Sequence, residues 1–296
     1  MSREIQDGQK KFRDNKKGMK MSKVVLITGC STGIGRDLAQ RLTQSGYTVV
    51  ATARKAETLD DLSVALKLPL DVTQSQSVSH AVAHTLRQFG RIDVLVNNAG
   101  YSMLGALEEV SEEQTQRAFD VNVFGALRMI RAVVPHMREQ RSGRIINISS
   151  IAGKLSTPVN GTYSATKFAL EALSDALQVE LALFGIQVVL VEPGAIKTRF
   201  DGTAQTLAQN ILLKSASPYR SLYKQSGQFA ASMRKDEPGP EVVSEVIEQA
   251  IRADRPRARY LAAIPLSGRL VIHLRDFVWG SVLKQMFKIN SSEMQP

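Results

Sequence analysis

Cysteine is almost absent: the 296 residues contain one, Cys30. No internal disulfide can form, and a lone thiol fits a reducing compartment. Also missing is any apolar run of about 18 residues, so no membrane-spanning helix is expected. The opening stretch "MSREIQDGQKKFRDNKKGMKMSK" has none of the apolar block of a signal peptide. Residues 1–21 are expected to be a basic, disordered extension, with Met21 a candidate start for the folded part. A cytoplasmic location is the corresponding expectation. There is no arginine-rich tract and no nucleic-acid motif, so the net charge of +10 reads as a solvated surface rather than a nucleic-acid footprint. Histidine is scarce too. His80 and His84 have the i, i+4 spacing of half a metal site, but no third ligand is near, so no metal is expected. Residues 22–262 show no repeat and no low-complexity linker, which favours one domain over two.

What is present is an alternation. "KVVLITG", "YTVVATA", "IDVLVNNAG", "GRIINISS" and "IQVVLVEPG" are short apolar runs. Between them lie amphipathic stretches: "IGRDLAQRLTQSG", "SVSHAVAHTLRQFG", residues 111–140 and residues 161–184. "PEVVSEVIEQAIRAD" adds a helix and "ARYLAAIP" a last strand. Strands alternating with helices pair in parallel through right-handed crossovers. Strands this rich in Val, Ile and Leu are covered on both faces. The fold class expected is therefore α/β, a single Rossmann-type doubly wound parallel sheet with helices on both faces. Residues 198–240 break the pattern with Ser, Gln, Gly and Lys, and read as an irregular substrate loop or lid. Residues 263–296 read as a C-terminal extension. Within it Leu270, Leu274, Phe277, Val278 and Val282 recur at near-helical spacing, among Arg269, Arg275, Lys284 and Lys288. Packing on its own protein or a sister subunit is favoured there over contact with a membrane surface.

"TGCSTGIG", residues 28–35, follows a strand and opens a helix. Gly29 allows a sharp turn, Gly33 lets the backbone approach a pyrophosphate, and Gly35 lets the helix pack close to the strand. The helix N-terminus then offers free N–H groups and partial positive charge to an anion. Cys30, inside this loop, reads as a small buried residue rather than a redox switch. Farther on, "YSATK" places Tyr163 and Lys167 four residues apart. On a helix they share a face. An ammonium ~4 Å from a phenol, at an effective dielectric of about 20, favours the phenolate by roughly 4 kcal/mol. That is enough to carry a phenol from near pH 10 toward the range where acid–base catalysis works.

Six motifs now stand in one order: "TGCSTGIG", "NNAG", Asn122 in "VNVFG", "NISS", "YSATK" and "EPG". In this the chain resembles the short-chain dehydrogenase/reductase family, strongly over about residues 22–200 and most closely in its hydroxysteroid and retinol dehydrogenase branch. The resemblance implies a catalytic set of Asn122, Ser150, Tyr163 and Lys167. Tyr163 would exchange a proton with the substrate oxygen, and Ser150 would bond the same oxygen; the family's spacing selects it over Ser149. Lys167 would also hold the nicotinamide ribose, and the Asn122 backbone would hold a water linking Lys167 to solvent. For the dinucleotide, the resemblance implies Gly29, Ser31, Thr32, Gly33, Ile34 and Gly35 around the pyrophosphate, and Asp71 and Val72 at the adenine. It places Asn98, Ala99 and Gly100 along the adenosine ribose. Pro193, Gly194 and Ile196 complete the site, with Thr198 on the carboxamide.

NADP(H) is expected over NAD(H). The second strand ends "ATARK", with Ala53 where an NAD-binding chain carries an acid and Arg54 beside it to take a 2′-phosphate. Thr32 departs from the pattern, standing where the family often has a basic residue. The expected function is NADP(H)-dependent interconversion of an alcohol and its carbonyl, on a bulky apolar substrate of steroid, retinol or lipid type. A homodimer or homotetramer is expected. The alternative is a non-catalytic dinucleotide sensor, which would need the glycine loop but not Ser150, Tyr163 and Lys167 together.

Overall fold

The structure is a computed structural model that describes residues 22–214, 216–233 and 237–286. The expected extension 1–21, Met21 included, and Lys288 lie outside the described residues. Seven strands form one parallel sheet in the order β3-β2-β1-β4-β5-β6-β7. They are β1 (Val24–Ile27), β2 (Thr48–Ala53), β3 (Leu66–Pro69), β4 (Val94–Asn97), β5 (Gly143–Ile148), β6 (Ile186–Pro193) and β7 (Arg259–Ala262). The helices between them are α1 (Gly33–Gln44), α2 (Ser75–Phe89), α3 (Glu112–Phe119), α4 (Gly125–Glu139), α5 (Gly161–Ala182), α6 (Phe200–Leu212), α7 (Arg220–Met233) and α8 (Glu241–Arg252). Two more follow, α9 (Leu266–His273) and α10 (Arg275–Met286).

The strand residues divide between two cores, as a period of two requires. In β1, Val25 and Ile27 join a cluster with Leu38, Leu42, Val243 and Ile247 of α1 and α8. Val24 and Leu26 join the opposite cluster, with Val78, Val82, Met129, Val133 and Leu181 of α2, α4 and α5. β5 and β6 divide in the same way, Ile146 and Val189 to the first core, Ile145 and Val188 to the second. The central strand β1 is thus apolar throughout because it has no solvent face.

Three elements differ from the sequence expectation. The 198–240 stretch is largely helical, as α6 and α7, rather than irregular. Ala208, Ile211 and Tyr223 of these helices pack with Met103, Ala106, Val110 and Val159 in a third apolar cluster. The 111–140 helix is interrupted by a π-helical turn, Asp120–Phe124. Lastly, residues 266–286, read only as near-helical in spacing, form two helices that meet at Leu274. α10 docks through the Trp279 indole N–H on the Ser156 carbonyl at 2.8 Å and the Arg275 guanidinium on the Lys154 carbonyl at 3.1 Å. Leu266, Leu270, Leu274 and Phe277 stay exposed, Phe277 by 87%. No described helix is long and apolar enough to cross a membrane.

Candidate active site

The C-terminal edge of the sheet is where polar residues replace the apolar run. The α1 loop sits there. Gly29 has φ +75°, and a Cβ on it would lie 2.9 Å from the Ala99 Cα. A Cβ on Gly35 would meet Asn98 Nδ2 and, at 2.5 Å, the Gly29 carbonyl oxygen. Asn98 explains the closeness. Its amide donates to the Thr28 and Gly29 carbonyls at 2.9 and 3.0 Å, while the Thr28 hydroxyl accepts from the Asn98 and Ala99 N–H groups at 3.0 Å. The "NNAG" segment thereby staples the glycine loop to the end of β4. Thr198 packs over Gly33, 3.4 Å from where a Cβ would stand. Ile34 and Ile196 both pack on the first core.

This loop fits a dinucleotide pyrophosphate. Thr32, the N-cap of α1, makes no side-chain cap, and the first turn carries no acid. By contrast α3 has a full capping box from Ser111 and Gln114 and two acids in its first turn. The first-turn N–H groups of α1 therefore have no side-chain cap or acid competing with an anion. Ser31 is half-buried and Thr32 exposed at this edge. Cys30 is buried, its thiol 3.4 Å from the Ile27 carbonyl. Burial pushes that thiol up to about 12, against the opposing pull of the Thr52 backbone and the Arg36 charge. The reading of Cys30 as a packing residue agrees with this.

At the end of β2, Ala53 is buried and Arg54 exposed. Arg36 is tied to Asp61 and to the Thr58 carbonyl. Asp71 accepts from the Thr73 amide at 2.9 Å and its hydroxyl at 2.7 Å. Burial opposes its charge, but those bonds and the Arg54 and Arg117 charges hold its carboxyl below the usual range. Val72 packs against Gly125 at the start of α4. Gly194 is held by its N–H on the Ala262 carbonyl at 2.9 Å, fixing the turn after Pro193.

Tyr163 and Lys167 lie on α5 and are buried, 8% and 6% exposed. The ammonium stands 5.7 Å from the centroid of the tyrosine ring. It donates to the Ile148 carbonyl at 2.7 Å. Burial pushes its pKa down to about 8, partly countered by the Glu171 charge. Asn122 sits in the π-turn, a local widening common at functional sites. Its amide nitrogen donates to the Tyr101 carbonyl at 2.8 Å and to the Thr166 hydroxyl at 3.0 Å, and its oxygen accepts from the Tyr101 N–H at 3.0 Å. These bonds fix the side chain between Tyr101 and Thr166. A Cβ on Gly100 would lie 3.0 Å from Asn122 Oδ1 and 3.9 Å from Lys167 Nζ, so these three residues converge.

Ser150 begins a short 3-10 turn (Ile151–Gly153), and its hydroxyl accepts from the Ala152 N–H at 3.1 Å. It is half-buried, whereas the Ser149 hydroxyl is buried without a partner among the described residues. The more accessible of the two is the one the sequence pattern selects. Phe200, at the start of α6, meets Tyr163 edge-on with centroids 5.7 Å apart. Val159, just before α5, holds φ +68°, rare for a β-branched residue. Packing in the third cluster and the Gly105 N–H on its carbonyl at 2.8 Å sustain it. His80 and His84 are exposed on α2. Among the described residues no group of three or more His, Cys, Asp or Glu could hold a metal ion.

Sequence reasoning missed the charged residues behind this site. Glu171, Glu192, Lys154 and Arg259 form an ion cluster. The only local hint was Glu171 one turn after Lys167.

Comparison with known proteins gives the same architecture. The family described as short chain dehydrogenase matches residues 23–208. Human 17-beta-hydroxysteroid dehydrogenase type 1 is 37% identical over 252 residues, 80% of this chain and 76% of that protein. The 3-ketodihydrosphingosine reductase of Bacteroides thetaiotaomicron is 45% identical over 177 residues, 60% of this chain and 65% of that protein. Among solved structures, a short chain dehydrogenase/reductase from Burkholderia phymatum in complex with NAD aligns with a TM-score of 0.74 at 27% identity, covering 88% of this chain and 95% of that one.

Proposed function

The chain belongs to the short-chain dehydrogenase/reductase family of oxidoreductases, and from that premise we propose that it interconverts an alcohol and its carbonyl with NADP(H), using Tyr163 as general acid and base. The observation that carries this reading is the buried ammonium of Lys167 at 5.7 Å from the Tyr163 ring centroid. A cation held beside the ring favours the phenolate over the neutral phenol. The dinucleotide supplies or accepts the hydride when bound; the residues of the chain manage the proton. In reduction Tyr163 Oη gives its proton to the carbonyl oxygen, while the Ser150 hydroxyl bonds the same oxygen and steadies its developing charge. In oxidation Tyr163 takes the hydroxyl proton. Lys167 stabilises the phenolate formed in the first case and used in the second.

NADP(H) is favoured by Ala53 in place of an acid and by exposed Arg54, a fork able to grip a 2′-phosphate. NAD in the Burkholderia phymatum protein belongs to that protein. The substrate proposed is bulky and apolar. Phe200 borders Tyr163, and Val159 of the third apolar cluster leads into the same helix. The names of the two curated relatives, for a hydroxysteroid and a ketodihydrosphingosine, point the same way. A homo-oligomer is part of the reading, supported by Val179 and Leu183 exposed on α5 and its end.

The test is NADPH oxidation with a panel of steroid, retinoid and long-chain ketones and aldehydes, comparing wild type with Tyr163→Phe. Wild-type turnover reduced at least ~100-fold in the variant is expected, in line with the contribution of a general acid. Raised melting temperature with NADPH but no turnover on any carbonyl would instead favour the sensor.

A further inference from the structure

Glu171 lies one turn beyond Lys167 on α5 and is only 5% exposed. Its carboxylate binds Lys154 Nζ at 2.8 Å and the guanidinium of Arg259. Glu192, 2% exposed, shares both cations, at 3.5 and 2.9 Å. Asp175, a further turn along α5, takes the second arm of Arg259. These residues come from the segments that build the site. Lys154 closes the turn that Ser150 opens. Glu171 shares a helix with Tyr163 and Lys167. Glu192 directly precedes Pro193 and Gly194, and Arg259 begins β7. One ion cluster joins them all.

Stability alone is a poor explanation for it. Buried ion pairs are often no better than apolar residues of the same size. Here the second oxygen of Glu171, Oε1, is buried without a hydrogen-bond partner among the described residues, which is costly for a carboxylate. We propose that Glu171 is a positioning residue for proton transfer: its charge holds Lys167 in its cationic form against the repulsion of Lys154 and Arg259, and its pairing with those two locks the Ser150 turn against the Tyr163 helix. This rests on the Tyr163–Lys167 reading above.

The charges facing Glu171 decide the sign of each perturbation. On its own helix they are Lys167 and Asp175. Lys154 faces it from the Ser150 turn, Glu192 from β6 and Arg259 from β7. From α10, Arg275 reaches the Lys154 carbonyl. Removing the Glu171 charge takes a carboxylate from one turn beyond Lys167 and leaves Lys154 and Arg259 balanced only by Glu192 and Asp175, so the lysine lets go of its proton more readily. Removing the Lys154 charge does the reverse. Burial has already brought Lys167 down to about 8. A further fall of roughly one unit, the low end of what a neighbouring charge does, would leave only about half of the molecules charged here at pH 7.

The experiment titrates Lys167 directly, in the full chain without substrate. Lysines are labelled with 13C at the ε-carbon, and the Lys167 signal is assigned by its loss in Lys167→Met. Glu171→Gln is expected to lower its midpoint by about one unit, and Lys154→Gln to raise it. In NADPH-dependent reduction the alkaline limb of the rate profile follows in each variant. Midpoint shifts of opposite sign, with the alkaline limb of the rate profile moving with them, support the proposal; unmoved or same-sign midpoints, or midpoints that shift while the rate profile stays put, overturn it. Should Glu171→Gln fail to fold, Lys154→Gln decides alone: its head is partly in solvent, a raised midpoint supports the proposal and an unmoved or lowered one overturns it. Opposite shifts in a protein that turns over no carbonyl would leave the cluster standing and reject only the oxidoreductase reading.

Discussion

Replacing Lys167 by methionine should make the empty protein more stable while abolishing turnover. The lysine is buried, and its pKa falls from the ordinary 10.5 to about 8 because burial penalises the charged form. That fall corresponds to roughly 3 kcal/mol of differential stabilisation. Methionine fills a similar volume and carries no charge. It forfeits the hydrogen bond to the Ile148 carbonyl, 2.7 Å in the wild type, which costs about 1 kcal/mol. The net gain is roughly 2 kcal/mol, or a rise in Tm of about 4–8 °C for a domain of this size. The pH dependence has a definite sign. The folded lysine holds its proton less tightly than the unfolded one, so the penalty is complete below about pH 8. As the pH climbs from there toward 10.5, the folded lysine sheds its proton first and the penalty fades. The wild type therefore catches up with the variant in alkali. Thermal unfolding of both apo proteins at pH 7 and pH 9.5 reads this directly. A methionine variant less stable than wild type at pH 7, or an advantage that does not shrink at pH 9.5, would refute the reasoning. The expected outcome is a familiar exchange, in which an active site keeps a group that the fold would be better without.

Two other substitutions test the cofactor site. Gly35→Ala puts a methyl into the space already taken by Asn98 Nδ2 and the Gly29 carbonyl. Overpacking of this kind costs about 1–3 kcal/mol, so a lower Tm and weaker NADPH binding by fluorescence titration are expected. Gly227→Ala, on the exposed side of α7 with nothing within 4 Å, should leave both unchanged or slightly raise the Tm. Ala53→Asp places a carboxylate at the end of β2, where it repels a 2′-phosphate and accepts from a 2′-hydroxyl. A charge-assisted hydrogen bond is worth about 1.5–3 kcal/mol, so the ratio of kcat/KM for NADPH over NADH should fall about 10–100-fold. An unchanged ratio would remove the 2′-phosphate from this strand end.

The central strands were legible because burial on both faces removes polar residues from them, leaving "VVLI" or "VVLV" with little ambiguity. β3 was not: Leu66–Pro69 alternates only weakly, carries Lys67 and ends in proline. It exists because β2 offers it a parallel edge, with Val50 opposite Leu66 and Ala53 opposite Pro69. The helices of residues 198–240 were missed for a compositional reason. Their buried positions are few, Ala204, Ala208 and Ile211 in α6 and Tyr223 in α7, and so few apolar residues give a faint period against Gln, Thr and Gly. The π-turn has no local signature at all. It is fixed by the grip of Asn122 on Tyr101 and Thr166, contacts that span 21 and 44 positions.

The candidate site divides along the same line. A residue that acts through local geometry could be found: Gly29 in a turn, or Tyr163 and Lys167 four apart on one helix. The pairings among the buried polar residues behind the site could not. Within the second core, Asn97 donates to Asn147 at 2.9 Å, Asn147 to Ser174 at 2.9 Å, and Ser174 to the Leu170 carbonyl at 2.7 Å. Beside it lies the ion cluster of Glu171, Glu192, Lys154 and Arg259. Each residue is ordinary in its own stretch of sequence, and each would be expensive to bury alone. Together they gather buried polar groups around β5, α5 and β6, next to Ser150, Tyr163, Lys167 and Pro193. A fold tolerates such departures where function requires them. The same concentration of buried polarity that hides from a sequence reading therefore marks, in three dimensions, the part of the fold around Tyr163 and Lys167.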